Sequence, residues 1–250
     1  MKRHWKKVVI GLVALVALVF AASFIYAKWI NDPPAKKTEQ DAIDIVQGSG
    51  VPGTDATGDT ATGSTDGAGT PGTVGADGVT GTWAPAADSE LCYRVKESIN
   101  GFDTEGVGCS NSITGSLVID GTVVSSADFT VDMTTFSSDE GRRDGQFNGR
   151  IMEVSQFPTG TFVLTGPLDF GAIPADGETI TVTATGELTL HGVTNTVTFE
   201  LSAAFGNGRI GVFGNIPVTF ADYDITNPSF GTISTEDHGL LEFVLAFDPA

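Results

Sequence analysis

From Thr179 to Phe205 the chain reads TITVTATGELTLHGVTNTVTFELSAAF, and its side chains alternate in type with a period of two. Ile180, Val182, Ala184, Leu188 and Leu190 fall on one parity, against Thr181, Thr183, Glu187 and Thr189 on the other. After His191 and Gly192 the pattern resumes, with Val193, Val197, Phe199 and Leu201 set against Thr194, Thr196, Thr198 and Ser202. Successive side chains of a strand point to opposite faces, so the stretch predicts a long β-hairpin with one apolar and one polar face.

The same alternation recurs in Leu91, Tyr93 and Val95; Ile113, Leu117 and Ile119; Phe129, Val131 and Met133; Phe162 and Leu164; Ile210 and Val212; and Leu241, Phe243, Leu245 and Phe247. About eight amphipathic strands joined by Gly, Asp and Pro turns make an all-β sandwich or a closed antiparallel barrel. Residues 83–250 carry them, 168 residues in all, enough to bury roughly 70% of the unfolded-chain surface around one core. SSDEGRRDGQFNGRIM, from Ser137 to Met152, breaks the alternation. Ser138 is its N-cap candidate, followed by Asp139 and Glu140, and the segment predicts one or two short helical turns across an end of the fold.

Charge divides the chain. Of 13 basic residues, seven (Lys2, Arg3, Lys6, Lys7, Lys28, Lys36 and Lys37) lie in the first 37 positions, and from Trp83 onward 23 acidic residues face six basic ones. A surface that acidic repels phosphate backbones, which excludes nucleic-acid binding. Between the basic start and Lys28, residues 8–27 form twenty consecutive uncharged positions, VVIGLVALVALVFAASFIYA. At about 1.5 Å per residue they span roughly 30 Å of hydrocarbon, the length of a transmembrane helix. A cleaved secretory signal has a similar basic start, but its apolar region is usually about 7 to 15 residues long and ends in small residues, where this chain has Phe24, Ile25 and Tyr26. The basic excess before the helix predicts a cytoplasmic N-terminus and an extracytoplasmic C-terminal domain in a single-pass membrane protein.

Residues 31–82 read as a linker. Gln47 to Thr82 is mostly Gly, Thr, Ala and Asp, with no Lys, Arg or aromatic residue, and such a coil has an r.m.s. span of about 30 to 36 Å. Glu39 to Val46 is either a short helix or a continuation of this stalk. Domain boundaries are therefore expected at 1–30 (basic start and anchor), 31–82 (linker) and 83–250 (barrel).

Cys92 and Cys109 are the only cysteines. Outside the cell a pair reads as a disulfide, with two buried free thiols as the alternative. Neither has metal-ligand spacing, and no nucleophile elbow, zinc-protease motif or phosphate loop is present. The loop carboxylates Asp222, Asp224, Glu236 and Asp237 read as a solvated acidic cluster before a weak calcium site. No catalytic residue, cofactor or metal is assigned.

Several motifs together resemble one bacterial family. They are Asp88-Ser89 before the first strand, Asp132-Met133-Thr134-Thr135 leading to Arg143-Asp144, the step from Phe157-Pro158 to Phe162, and Gly186-Glu187-Leu188-Thr189-Leu190-His191-Gly192-Val193-Thr194. The chain resembles the YceI-like family of polyisoprenoid-binding proteins over nearly all of Trp83 to Phe247. That resemblance implies an extended lipocalin-like antiparallel β-barrel whose lumen holds a long isoprenoid lipid, and no enzymatic activity. Three features depart from the pattern: Lys96-Glu97 in the first-strand region where relatives often carry a His, the cysteine pair, and an anchor with linker in place of a cleaved export signal.

On this reading the lumen candidates are the apolar alternates Phe129, Val131, Met133, Phe162, Leu164, Leu188, Leu190, Val197, Phe199, Leu201, Phe243, Leu245 and Phe247. Arg142, Arg143 and Asp144 are rim candidates, either meeting a lipid head group or pinning the helical segment through ion pairs. Two functions follow: a membrane-tethered carrier of a quinone or polyprenyl lipid, or a stalk-displayed interaction domain with a filled core. A lipid-sized cavity separates them.

Overall fold

The computed structural model describes residues 2–30, 33–48, 74–75 and 77–250. Its strands are β1 (Gly81–Pro85), β2 (Glu90–Ile99), β3 (Phe102–Ser110), β4 (Ile113–Asp120), β5 (Val123–Asp132), β6 (Ser137–Ser138), β7 (Thr159–Leu164), β8 (Leu168–Asp169), β9 (Ile180–Leu190), β10 (Val193–Gly206), β11 (Arg209–Thr219), β12 (Ile233–Thr235) and β13 (His238–Pro249). Eight of them close a ring in the order β1, β4, β5, β7, β9, β10, β11, β13, with β13 pairing back to β1. Every strand pair is antiparallel.

The predicted hairpin is β9 and β10, in register from Leu190 opposite Val193 to Ile180 opposite Ala203. Two further hairpins, β2 to β3 and β10 to β11, turn on Asn100-Gly101 and Asn207-Gly208, all four residues at positive φ. Two-residue turns of that handedness match the right-handed twist of the paired strands, which is why Asn and Gly occupy them. β3 is a strand that periodicity does not reveal, because FDTEGVGCS carries few apolar residues. It branches from the barrel through β2 and is bonded to it by the Cys92–Cys109 disulfide, whose residues are cross-strand partners. The two-thiol alternative is thereby set aside.

The helical segment forms as α3 (Gly141–Gln146) followed by a π turn, Phe147–Ile151. Its cap is Glu140, whose side chain accepts from the Arg142 backbone N–H, and not Ser138. Ser138 instead donates from both its backbone N–H and its hydroxyl to Asp144 Oδ1, at 2.9 and 2.6 Å. α3, the β2–β3 tip, the β9–β10 turn and residues 220–235 make up one end of the barrel.

The N-terminal helix α1 runs from Lys2 to Ile25, and within it and the π turn that follows, Ile10–Lys28 is long and apolar enough to cross a membrane, a test that a signal sequence also passes. The next helix corrects the linker reading. Glu39–Gln47 is α2, with a capping box between Thr38 and Asp41. It lies on the outer wall of the barrel, where Ile45 and Val46 pack with Ala204, Val244 and Ala246. The approach is so close that a Cβ on Gly211 would collide with the Ala42 carbonyl. The segment leading into α2 is held too: Arg94 donates to the carbonyls of Pro34 and Ala35, and Lys37 pairs with Glu90. Residues 33–48 therefore form a strap along the barrel, and Gly81 and Thr82 already belong to β1. The Gly/Thr/Asp-rich remainder of the expected linker, 49–73, lies outside the described residues.

Candidate functional site

The apolar parity of the ring strands faces inward and encloses a cavity of about 200 Å³. Of the thirteen lumen candidates, twelve form its wall. Val197 does not; it packs against the core outside the cavity. Phe199 anchors an aromatic cluster, with its ring 5.6 Å from that of Phe162 and 5.9 Å from that of Phe243, both edge-on. Gly186 makes room for this cluster, since a Cβ there would collide with the Phe162 ring. Among the described residues, Thr122 and Thr161 are the only side chains on the wall with polar oxygen or nitrogen atoms.

The wall also includes residues outside the candidate set. Ile113, Leu117 and Ile119 of β4 belong to it, and their alternation was a legible signal. Leu168, Phe170, Ala172, Ile173 and Pro174 close it at the end away from α3. They lie on β8 and the irregular chain after it, where periodicity says nothing about direction.

A second cavity of about 100 Å³ occupies the α3 end and shares Met133, Phe136, Leu190 and Leu241 with the first. Its wall carries the charge that the main lumen lacks, Glu97 and Arg143, beside the Tyr93 ring stacked on Phe147 at 4.9 Å. Arg143 pairs with Asp139 and stands 3.9 Å from Glu97. Burial pushes the Glu97 carboxyl above its ordinary range, partly offset by the Arg143 charge. Burial also raises the Tyr93 phenol, which stays neutral at neutral pH. Of the three rim candidates only Arg143 reaches a cavity wall. Asp144 is taken up by Ser138, and Arg142, exposed, lines neither space.

The loop carboxylates do not assemble. Glu236 and Asp237 lie against His238 at 3.3 and 2.8 Å, and Asp222 and Asp224 are exposed. Among the described residues, the one grouping with metal-like spacing is Glu90, Cys92 and Cys109, and its sulfurs are bonded to each other. His191, in the hairpin turn, bridges Glu153 at 3.1 Å and the Tyr223 carbonyl at 3.3 Å, which ties three loops of the α3 end together.

The chain thus presents an eight-stranded ring around an apolar lumen, with a helical segment across one end. The YceI-like domain pattern matches residues 86–247. The chain belongs to the YceI-like family. A UPF0312 protein of Vibrio parahaemolyticus is 32% identical over 114 residues, covering 43% of this chain and 56% of its own length. Another, from Vibrio vulnificus, is 33% identical over the same shares. The chain thus spans little more than half the length of these relatives. Among solved structures, a polyisoprenoid binding domain from Saccharophagus degradans aligns with a TM-score of 0.55 at 19% identity, covering 67% of this YceI-like chain and 98% of its own. BcnA of Burkholderia cenocepacia aligns at 0.50 and 21% identity, covering 64% and 96%. At such identities the likeness is one of fold, and it extends across essentially the whole of both structures.

Proposed function

We propose that this YceI-like barrel is a membrane-tethered, extracytoplasmic lipid-binding protein that holds an isoprenoid lipid of quinone or polyprenyl type in its lumen. The observation that carries the reading is the cavity itself, walled by twelve of the apolar alternates and continuous in its lining with the smaller space at the α3 end. A barrel of eight strands either fills with side chains or holds one ligand, and an apolar cavity of about 150 Å³ already takes up benzene. Each CH₂-sized group moved from water into such a lumen contributes about 0.8 kcal/mol, so a prenyl tail needs few polar contacts. The only charged groups on either wall among the described residues, Glu97 and Arg143, suit a polar head at the α3 end with the tail running along the barrel axis. The similarity to a polyisoprenoid binding domain supports the same ligand class.

The test is to export residues 33–250 from a bacterial host, keeping the strap and the disulfide, and to examine the purified protein by native mass spectrometry and solvent extraction. A stoichiometric prenyl lipid is expected. A protein that emerges lipid-free and takes up neither added quinones nor polyprenols would overturn the reading in favour of an interaction domain.

A further inference from the structure

We propose that the α3 end of the barrel is a bilayer-docking surface, with the β2–β3 tip and Phe230 seated in the outer interface of the membrane that α1 crosses. This rests on the anchored reading above and adds which end of the barrel meets the lipid.

Asn100, at the hairpin tip, makes the decisive contacts. Its side-chain amide donates to Ser23 Oγ at 2.6 Å, and the neighbouring Phe102 ring lies edge-on to Phe24 at 5.4 Å. Ser23 and Phe24 belong to the last turns of the apolar span Ile10–Lys28. At about 1.5 Å per residue, Ser23 sits roughly 7 Å inside the end of that span, the depth at which interfacial apolar groups reside. A tip bonded there enters the head-group layer with it.

The same residue fixes the second element. The Asn100 backbone N–H donates to the Thr232 carbonyl at 3.1 Å, and β12 extends the pairing along β2. Phe230 and Ile233 exchange reciprocal backbone hydrogen bonds of 2.9 and 3.0 Å, so Phe230 stands on a closed turn beside the tip. It is 67% exposed, against 45% for Val163 and 37% for Ile173, the other large exposed hydrophobics outside α1 among the described residues. A large apolar ring held out by a fixed turn gains free energy in proportion to the area it removes from water on docking. The bilayer is the occupant because the chain's own span already lies against this surface. The strap then runs from here along β2 and β13 to the far end, which holds the barrel upright instead of leaving it free on a long tether. The second cavity, with Arg143 and Glu97, faces the head groups.

The test uses the full chain in phosphatidylethanolamine/phosphatidylcholine vesicles, whose interface has no net charge to repel the acidic domain, its native cysteines joined, with an environment-sensitive fluorophore on Phe230→Cys or, at the far end, on Asp120→Cys. The expected result is that the probe at 230 loses most of its emission to doxyl-labelled lipid and is shielded from iodide, while the probe at 120 behaves oppositely. Failure of the chain to float with the vesicles would overturn the anchored reading together with the docking. Flotation with the probe at 230 open to iodide overturns the docking alone, whether the probe at 120 is quenched by lipid (far end down) or open too (barrel standing off). Shielding from iodide at 230 without quenching by doxyl lipid would assign the surface to a second copy of this chain and also overturn it.

Discussion

Arg94 and Glu242 meet on the outside of the barrel, Nε to Oε2 at 2.9 Å, with side chains only 5% and 2% exposed. Both point away from the lumen, and what buries them is the strap: Nη2 of Arg94 donates to the Pro34 carbonyl at 2.8 Å while Nη1 donates to Glu105 at 2.7 Å. A buried ion pair is costly to break from one side, because the remaining charge is left without a partner in a medium that solvates it poorly.

Arg94→Ala is expected to cost about 3 to 5 kcal/mol of stability and to loosen residues 33–38. Urea denaturation reads the first effect and amide hydrogen exchange in α2 and its approach reads the second. Gly211→Val attacks the strap from the other side by pressing on the Ala42 carbonyl, and should raise exchange in α2 while the barrel's near-UV circular dichroism persists. Unchanged exchange in α2 for both variants would contradict a docked strap.

Filling the lumen separates ligand loss from damage to the core. Ala184 is 1% exposed and lies on the cavity wall, so Ala184→Phe puts a ring into space available to it, at a cost from overpacking of about 1 to 3 kcal/mol. The variant is expected to fold, to carry less co-purified lipid and to take up added prenyl lipid more weakly. Wild-type lipid content in the folded variant would argue against a lumenal ligand.

The disulfide closes a separation of 17 residues between paired strands. On the loop-entropy model its removal destabilises the fold by about 3 kcal/mol. The double variant Cys92→Ala/Cys109→Ala should lose about that amount in urea denaturation, with β3 the first region to exchange its amides, since it is paired mainly to β2.

Two carboxylates act on opposite limbs of the pH profile. Asp88 is held below its ordinary value of 3.8 by bidentate hydrogen bonds from Arg209 at 2.8 Å, against some desolvation. Its contribution is present above 3.8 and lost as pH falls through the depressed folded value, so Asp88→Asn flattens the acid limb; with a side chain 43% exposed, the effect is small. Glu97 is raised above 4.5, by burial first, so the folded state binds its proton more tightly than the unfolded chain. Stability associated with it is full below 4.5 and declines as pH rises through the raised value, and Glu97→Gln removes that decline. Urea midpoints across a pH series, compared between each variant and the parent, check both signs.

Period-two alternation in β9, β10, β5 and β13 determined which residues face inward, because one register buries the apolar parity and a slip by one residue would expose all of it. That is why twelve lumen candidates line the cavity. The strand β3 and the wall residues Phe170 to Pro174 stayed illegible for the converse reason: Gly, Thr and Pro carry no parity. The strap was hidden differently. Its docking surface is written in LLEFVLAF of β13, apolar on both parities apart from Glu242, where only a doubly covered strand would be, yet nothing in a short amphipathic segment at Glu39 says which surface will cover it. Closure of the ring through β1 and β13, the joining of Arg94 to Pro34 across 60 residues and the gathering of Asn100, Ser23 and the Phe230 turn at one end all depend on contacts between distant segments. Local patterning sets the direction of side chains within an element; which elements meet follows from where their buried faces find complementary partners, and that is decided only when the chain has folded.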